Sequence, residues 1–497
     1  MNNTSFSEKI DFEKLFFPRA VGIIGASQNP AGGGYFVRIL KDKFRGPIYL
    51  FNPRLKGQKL FGIKVYGSIL EIPESEPIDY VILAVPARLC PKLLEEIGRK
   101  GVPFVTIFSS GFSEVGFSDL EKNVLDIAKK NKIRILGPNC LGVYNPSSNL
   151  YINAVQSKKA GNFSAIFQSG GLSVNVSNLA VSYGCFISKL ISLGNAIDLT
   201  YPDFLDYFLT DPKTAIIGLY LENLKSQKIG RRFLNSVKNL NLNRKPVILW
   251  KVGYGEATQK AIMSHTGGLA GNSKIFEAVA KQTGCSLVSS SKELAALASG
   301  FKLLNLPKTR DLGVIGIGGG SCIELVDILE KFNLKIPQLT QKTTVKLERF
   351  LPDVNTNLTN PIDLGAMGIM PNIYYRTIVS LEKDPNISAI IFVKDPERFG
   401  GFEEQVMEEH GKLDKIDLNK VFLKYMRKVR KVCKKPIICV MLKINEGFNE
   451  YKSRYRFKLS LLNRAIPVYE SIELAGKVLN HLNTYREFLQ NHNRFPK

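Results

Sequence analysis

Residues 20–40 read AVGIIGASQNPAGGGYFVRIL, and their reading decides the fold. The apolar, β-branched run over 20–25 predicts a buried strand. A Gly-rich turn follows, and a helix is expected from about Tyr35. Working outward, apolar runs recur at 47–52, 80–85, 102–108 and 133–136. Helices are expected through Leu94 and from about Leu120. Strand–helix alternation of this kind gives a parallel, doubly wound sheet. Its ligand belongs beyond the strand C-termini, where the turns are rich in Gly, Ser and Pro.

The first turn invites a dinucleotide reading, but Gly25, Gly32, Gly33 and Gly34 do not give the GxGxxG spacing. The second strand ends in Asn52-Pro53-Arg54 and not in the acidic residue that grips a ribose 2′-hydroxyl. Arg54 and Lys56 suit a phosphorylated ribose, which leaves NADP and the 3′-phosphate of coenzyme A as candidate ligands.

The pattern restarts near Gly161. A strand over 163–168 runs through Ser169-Gly170-Gly171 into a helix over 172–182; a helix N-terminus preceded by small residues is an anion site. Strands at 187–193, 215–221 and 246–250 end in Gly194-Asn195, in Glu222, and in the segment 251–271, KVGYGEATQKAIMSHTGGLAG. That segment holds His265, one of four histidines in the chain, among Ser264, Thr266, Gly267, Gly268 and Gly271. Two readings stand: a loop histidine that caps a turn, or a nucleophile that takes up a phosphoryl group whose oxygens the surrounding N–H groups hold. Gln168 to Gly171, Asn195, Glu222 and the His265 segment all follow parallel strands, so they can converge on one crevice. After a linker at 306–310, a strand at 312–317, Gly318-Gly319-Gly320, a helix at 322–332, the Asn360–Asp363 turn, strands at 389–393 and 436–442, and a last helix at 472–489 predict a third unit like the second. A charged, helical insert spans 398–435.

A chain of 497 residues calls for about three domains. Its seven cysteines show neither CxxC pairs nor zinc spacing, so they read as free thiols in a reducing compartment, with no metal site. With no apolar run of membrane-spanning length and no apolar leader, the chain is expected to be cytoplasmic. The net charge of +24 suggests nucleic acid. The basic residues are spread along the chain, however, and no zinc-finger, RRM or basic-zipper pattern accompanies them, so binding of phosphate-rich ligands is the better reading.

The motifs GAS (25–27), NP (52–53), VPA (85–87), SGF (110–112), GPNCLG (137–142), QSGG (168–171), SLGN (192–195), LE (221–222), SHTGGLAG (264–271), GGG (318–320), NPID (360–363) and IPVY (466–469) occur in order over nearly the whole length. In this the chain resembles the α subunit of the ADP-forming acyl-CoA (acetate–CoA) ligases, relatives of succinyl-CoA synthetase. The resemblance implies a Rossmann-like CoA-binding domain (9–148) followed by two flavodoxin-like domains of the succinyl-CoA synthetase type (149–305 and 311–490).

It also implies a reaction in which acyl-CoA and phosphate give an acyl phosphate and CoA. His265 then takes the phosphoryl group, and an ATP-grasp β subunit passes it to ADP with Mg2+. Glu222 would orient the imidazole. Gln168, Ser169, Gly170, Gly171, Asn195, Gly267 and Gly268 would hold phosphate. Gly25, Ser27, Asn52, Arg54, Val85, Pro86, Ser110, Asn139 and Cys140 would meet CoA, with Cys140 near the thiol end and doing no covalent work. Tyr254-Gly255 departs from the basic residue and Ser or Thr usual in the family, which would weaken phosphate binding there. No ATP-grasp segment is seen, so a heteromer, α2β2 in one form, is expected. The rival readings are a non-catalytic CoA-binding protein of the same fold and an NADP-dependent oxidoreductase. The acyl group is left open.

Overall fold

The computed structural model describes residues 10–253, 255, 257–258, 273–396, 417–442 and 447–495. Chain contacts gather them into two compact units, Met1–Val181 with Phe186–Leu294, and Ser182–Cys185 with Ala295–Lys497. Among the described residues no helix is long and apolar enough to cross a membrane.

The first unit holds two sheets. The first sheet comprises β1 (Val21–Ile24), β2 (Ile48–Phe51), β3 (Lys59–Leu60), β4 (Ile63–Tyr66), β5 (Tyr80–Leu83), β6 (Phe104–Ile107) and β7 (Arg134–Leu136). Their spatial order is β3-β4-β2-β1-β5-β6-β7. Leaving aside β3, which pairs antiparallel with β4 at the edge, this is the Rossmann order, reversing direction between β1 and β5. The β3–β4 hairpin was not expected; its strands are short, charged and broken by Gly57 and Gly62.

The second sheet comprises β8 (Gly142–Tyr144), β9 (Phe163–Phe167), β10 (Ile187–Ser192), β11 (Ile216–Leu221), β12 (Val247–Lys251) and β13 (Ser286–Val288), in the order β13-β12-β11-β9-β10-β8. Its five parallel strands follow the flavodoxin order, reversing between β9 and β11. β8 pairs antiparallel with β10. It lies within residues 9–148, yet it belongs to the second sheet. Phe12, Phe16, Phe104 and Phe204 share one buried core with Ile166, Ile191, Leu219 and Leu249, so the two sheets are joined by continuous apolar packing.

The second unit is built on β14 (Leu312–Gly316), β15 (Ile362–Asp363), β16 (Ala389–Val393), β17 (Ile437–Val440) and β18 (Val468–Tyr469), in the all-parallel order β15-β14-β16-β17-β18. This is again the flavodoxin order. The fold class expected from the sequence therefore holds in all three sheets.

One buried ion pair fixes the near end of the second sheet. Lys189 of β10 meets Asp211 at 2.7 Å, and both are buried. The hydroxyl of Thr214 also donates to Asp211, at 2.5 Å. Burial pushes the Asp211 carboxyl up, but its bonds to Lys189 and Thr214 prevail and hold it below the usual range. Removing one partner of such a pair leaves a buried charge uncompensated. Lys189→Met should therefore lower the unfolding free energy by about 3 kcal/mol in urea titrations near neutral pH. The deficit should shrink as pH falls through the carboxylate range, because Asp211 stabilises the wild-type fold only while ionised.

Candidate functional site

At the β1/β5 switch point lies a cleft of about 690 Å³. Its wall includes Gly25, Asn52, Pro53, Arg54, Val85 and Pro86. Gly25 sits at φ +89°, and a Cβ there would lie 2.2 Å from the Ala84 carbonyl oxygen, so only glycine lets the turn after β1 pass the end of β5. The Asn52 side chain donates to the Ala26 carbonyl at 2.8 Å and accepts from the Arg54 N–H at 3.0 Å. It thus ties the ends of β1 and β2 together and presents the exposed Arg54. Arg88 and Lys92, from the turn and helix after β5, add two cations that the sequence reading missed. Ser27 and Ser110 stand outside this wall: Ser27 lies in the turn after β1, and Ser110 is exposed after β6.

A second crevice of about 550 Å³ opens at the C-terminal end of the second sheet. It brings together Asn139, Cys140, Gln168, Ser169, Gly170, Gly171 and Asn195, seven residues expected from the sequence to serve CoA or phosphate. Ser169 precedes the helix Gly170–Ser182, and its hydroxyl accepts from the Leu172 N–H at 3.4 Å. The first N–H groups of a helix have no partner within it, so Gly170 and Gly171 offer donors and the positive end of the helix dipole. The Gln168 side-chain amide oxygen accepts from the N–H groups of Glu222 at 2.6 Å and Asn223 at 3.1 Å. That bond clamps the ends of β9 and β11 across the switch point. Asn195 donates its amide to Glu114 at 2.6 Å and to Glu121 at 3.3 Å, so its N–H groups are engaged by two carboxylates. Burial pushes Glu114 up, but the bonds from Asn195 and from the Gly111 N–H keep its carboxyl below the usual range.

Cys140 is fully buried, and burial pushes its thiol up to about 12. A thiol so rarely ionised is no nucleophile, which agrees with its reading as a residue without covalent work. Glu222 is buried at the end of β11, with the Tyr220 hydroxyl bonded to its carboxylate. Behind it stands Lys251, the last residue of β12, which the sequence reading also missed. Its ammonium donates to the Glu222 carbonyl at 2.9 Å and to the Val252 carbonyl, and packs 5.1 Å from the Phe276 ring centre. A lysine closing an apolar strand beside a Gly-rich segment was the only linear signal for it. His265, Gly267, Gly268 and Tyr254 lie outside the described residues, so the phosphohistidine reading rests on sequence.

Residues 19–146 match the family model described as a CoA binding domain. Residues 160–301 match the succinyl-CoA ligase like flavodoxin domain. These define a CoA-ligase class of protein, and the residues of the first cleft fall within the matched CoA binding domain. The chain is 36% identical over 390 residues to the α subunit of an ADP-forming acetate–CoA ligase II of Pyrococcus furiosus, covering 78% of this chain and 83% of that one. It is 38% identical over 358 residues to an ADP-forming acetate–CoA ligase of Methanocaldococcus jannaschii, covering 71% of this chain and 49% of that one. The chain spans about half the length of several of the curated relatives it matches. Among solved structures, an acetyl-coenzyme A synthetase of Candidatus Korarchaeum cryptofilum in complex with phosphate and ADP superposes with a TM-score of 0.81 at 26% identity, over 97% of this chain and 99% of that one. The chain belongs to the α-subunit family of the ADP-forming acetate–CoA ligases.

Burial lowers Lys251 to about 8, although the Glu222 charge opposes the shift. Between that value and the ordinary lysine range near 10.5, the unfolded chain binds the proton that the folded chain has released. Stability gains a component that rises with pH across this window, the cost of the buried charge being full below about 8. Denaturant titrations at successive pH values should show this rise in the wild type and its absence in Lys251→Met.

Proposed function

We propose that the chain is the acyl-transferring subunit of an acid–thiol ligase. The enzyme interconverts acyl-CoA, phosphate and ADP with carboxylic acid, CoA and ATP. The observation that carries the reading is the second crevice. It joins the Asn139–Cys140 turn, which closes the CoA-binding domain, to the helix N-terminus at Gly170-Gly171. Sulfur and phosphate therefore have seats on the two sides of one cavity.

In the first step a phosphate oxygen attacks the thioester carbonyl, the C–S bond breaks, and CoA leaves as its thiol or thiolate. The helix N-terminus and the Ser169 hydroxyl neutralise the phosphate and position it, which is most of what phosphoryl and acyl-phosphate chemistry asks of a protein. In the second step a His265 ring nitrogen attacks phosphorus, the P–O bond to the acyl oxygen breaks, and the carboxylate departs. Glu222, held rigid by Gln168, Tyr220 and Lys251, accepts from the other ring nitrogen and fixes the tautomer. The phosphohistidine then passes its phosphoryl group to ADP with Mg2+ on an ATP-grasp β subunit. The relatives named as α subunits support such a partner. We assign residues 9–148 to CoA, 149–305 to the phosphohistidine chemistry and 311–490 to a second ligase-type domain. CoA is preferred to NADP because the match over residues 19–146 is to a CoA-binding domain.

Incubating the chain with an acyl-CoA and radiolabelled phosphate should give up to one equivalent of acid-labile, base-stable label. His265→Ala should abolish the label while retaining CoA binding. Glu222→Gln should slow labelling by about 100-fold, in the range of a lost orienting base partner. A chain that binds CoA and never takes up label would instead be a non-catalytic CoA-binding protein.

A further inference from the structure

The relatives' names span acetate, 4-hydroxybutyrate and trans-ferulate, so family membership leaves the acyl group open. The second crevice carries information on this point, given the reaction proposed above. An acyl carbon that moves from sulfur to a phosphate oxygen must lie between the Asn139–Cys140 turn and the Gly170-Gly171 N–H groups. Tyr35, Phe108, Leu141 and Val174 supply the larger apolar side chains of its lining, beside the amides of Asn139, Asn153, Asn175 and Asn195.

This wall is rigid. The Tyr35 and Phe36 rings meet edge to face at 5.2 Å, and the Phe36 and Phe108 rings do so at 5.0 Å. The Tyr35 hydroxyl donates to the Ile152 carbonyl at 2.8 Å and accepts from the Asn153 amide at 3.1 Å. Gln156 accepts from the N–H groups of both Ile152 and Asn153, which holds that segment in place. The hydroxyl is thus spent within the wall, and the ring is what faces a ligand. Leu141 is seated by its N–H on the Ser192 hydroxyl at 3.1 Å. Every described side chain lining the crevice is uncharged.

We propose that this crevice selects an uncharged, apolar acyl group bulkier than acetyl, with Tyr35 and Phe108 as the specificity-determining side chains. Aromatic and aliphatic surface rewards each added carbon that it covers. Acetyl leaves most of it uncovered. A second carboxylate would enter among amides and rings with no described cation to pair with, which is costly.

The test follows thiol release by the full chain from acetyl-, isovaleryl-, phenylacetyl- and succinyl-CoA, with phosphate present. Isovaleryl- or phenylacetyl-CoA should react at least about tenfold faster than acetyl-CoA at subsaturating substrate, since one well-covered methylene already discriminates by that order. Phe108→Ala, and Phe108→Leu as the variant that keeps apolar volume, should reduce the phenylacetyl-to-acetyl ratio, the alanine by about tenfold and the leucine by less. Thermal melting and CoA titration of each variant establish that it folds. A preference for acetyl- or succinyl-CoA, or a ratio unmoved in both folded variants, would overturn the proposal while leaving the ligase reading intact. Thiol release from none of the four would remove that reading itself.

Discussion

The carbonyl of Pro138 accepts a hydrogen bond from the backbone N–H of Asn195 at 2.9 Å. This short contact stitches the last turn of the first sheet to the turn after β10. It demands a close approach: a Cβ on Gly194 would stand 2.1 Å from the Pro138 oxygen, and Gly194 itself lies at φ +55°. Glycine is the residue that allows two backbones to touch at this point. Around the stitch, Arg134 pairs with Asp198 at 2.9 Å, and Asn195 reaches across to Glu114 and Glu121. Without this seam the Asn139–Cys140 turn, which we assign to CoA, would have no fixed distance from the helix N-terminus at Gly170. Reactions that hand an acyl group from one ligand to another depend on that distance to within a fraction of an ångström.

Several polar groups at the crevice and behind it are engaged within the fold. Gln168 spends its side-chain amide oxygen on the N–H groups that follow β11, Asn195 its amide on two carboxylates, and Lys251, behind Glu222, its ammonium on two carbonyls. The helix start adds backbone N–H groups at the crevice. Such donors need no reorganisation when phosphate charge builds up, and they cannot swing away as lysines can. This also explains why the chain's excess of positive charge need not line the reacting centre. The cations found near a ligand seat, Arg54, Arg88 and Lys92, border the cleft at the β1/β5 switch point, where a nucleotide's own phosphates would lie.

Much of this was legible in the linear sequence. Apolar runs such as 20–25 and 163–168 placed the central strands to within a residue or two, and small residues after each run marked the ligand-facing ends. Several short strands were hidden, β13 among them. β3 and β4 are short and carry lysines, and β8 is three residues that gain their strand identity only by pairing with β10. Site residues divide along the same line. Asn139, Ser169 and Gly170 announce themselves by turn chemistry. Tyr35 and Phe108 look like ordinary members of a helix and a strand exit, and nothing local says that tertiary packing turns them toward one cavity. Lys251 is concealed for a related reason. Its role comes from facing the end of β11, a neighbour 29 residues away in sequence.

Lys251 also shows why the second sheet tolerates a costly group. Burying an ammonium beside an aromatic ring and two carbonyls is unfavourable relative to water, as its lowered proton affinity records. A methionine of similar length would pack there without that cost, but it would leave the Glu222 and Val252 carbonyls without this donor. Glu222 would then lose one of the bonds that hold its main chain, keeping the Gln168 bond and the Tyr220 hydroxyl. A carboxylate that must hold one edge of an imidazole needs its main chain fixed from more than one side, because a small rotation at the strand end is magnified at the side-chain tip. The buried charge is therefore best understood as the strut that makes the end of β11 as rigid as its middle, and its energetic penalty as the consequence of placing the carboxylate we propose as the imidazole's orienting partner where a strand stops.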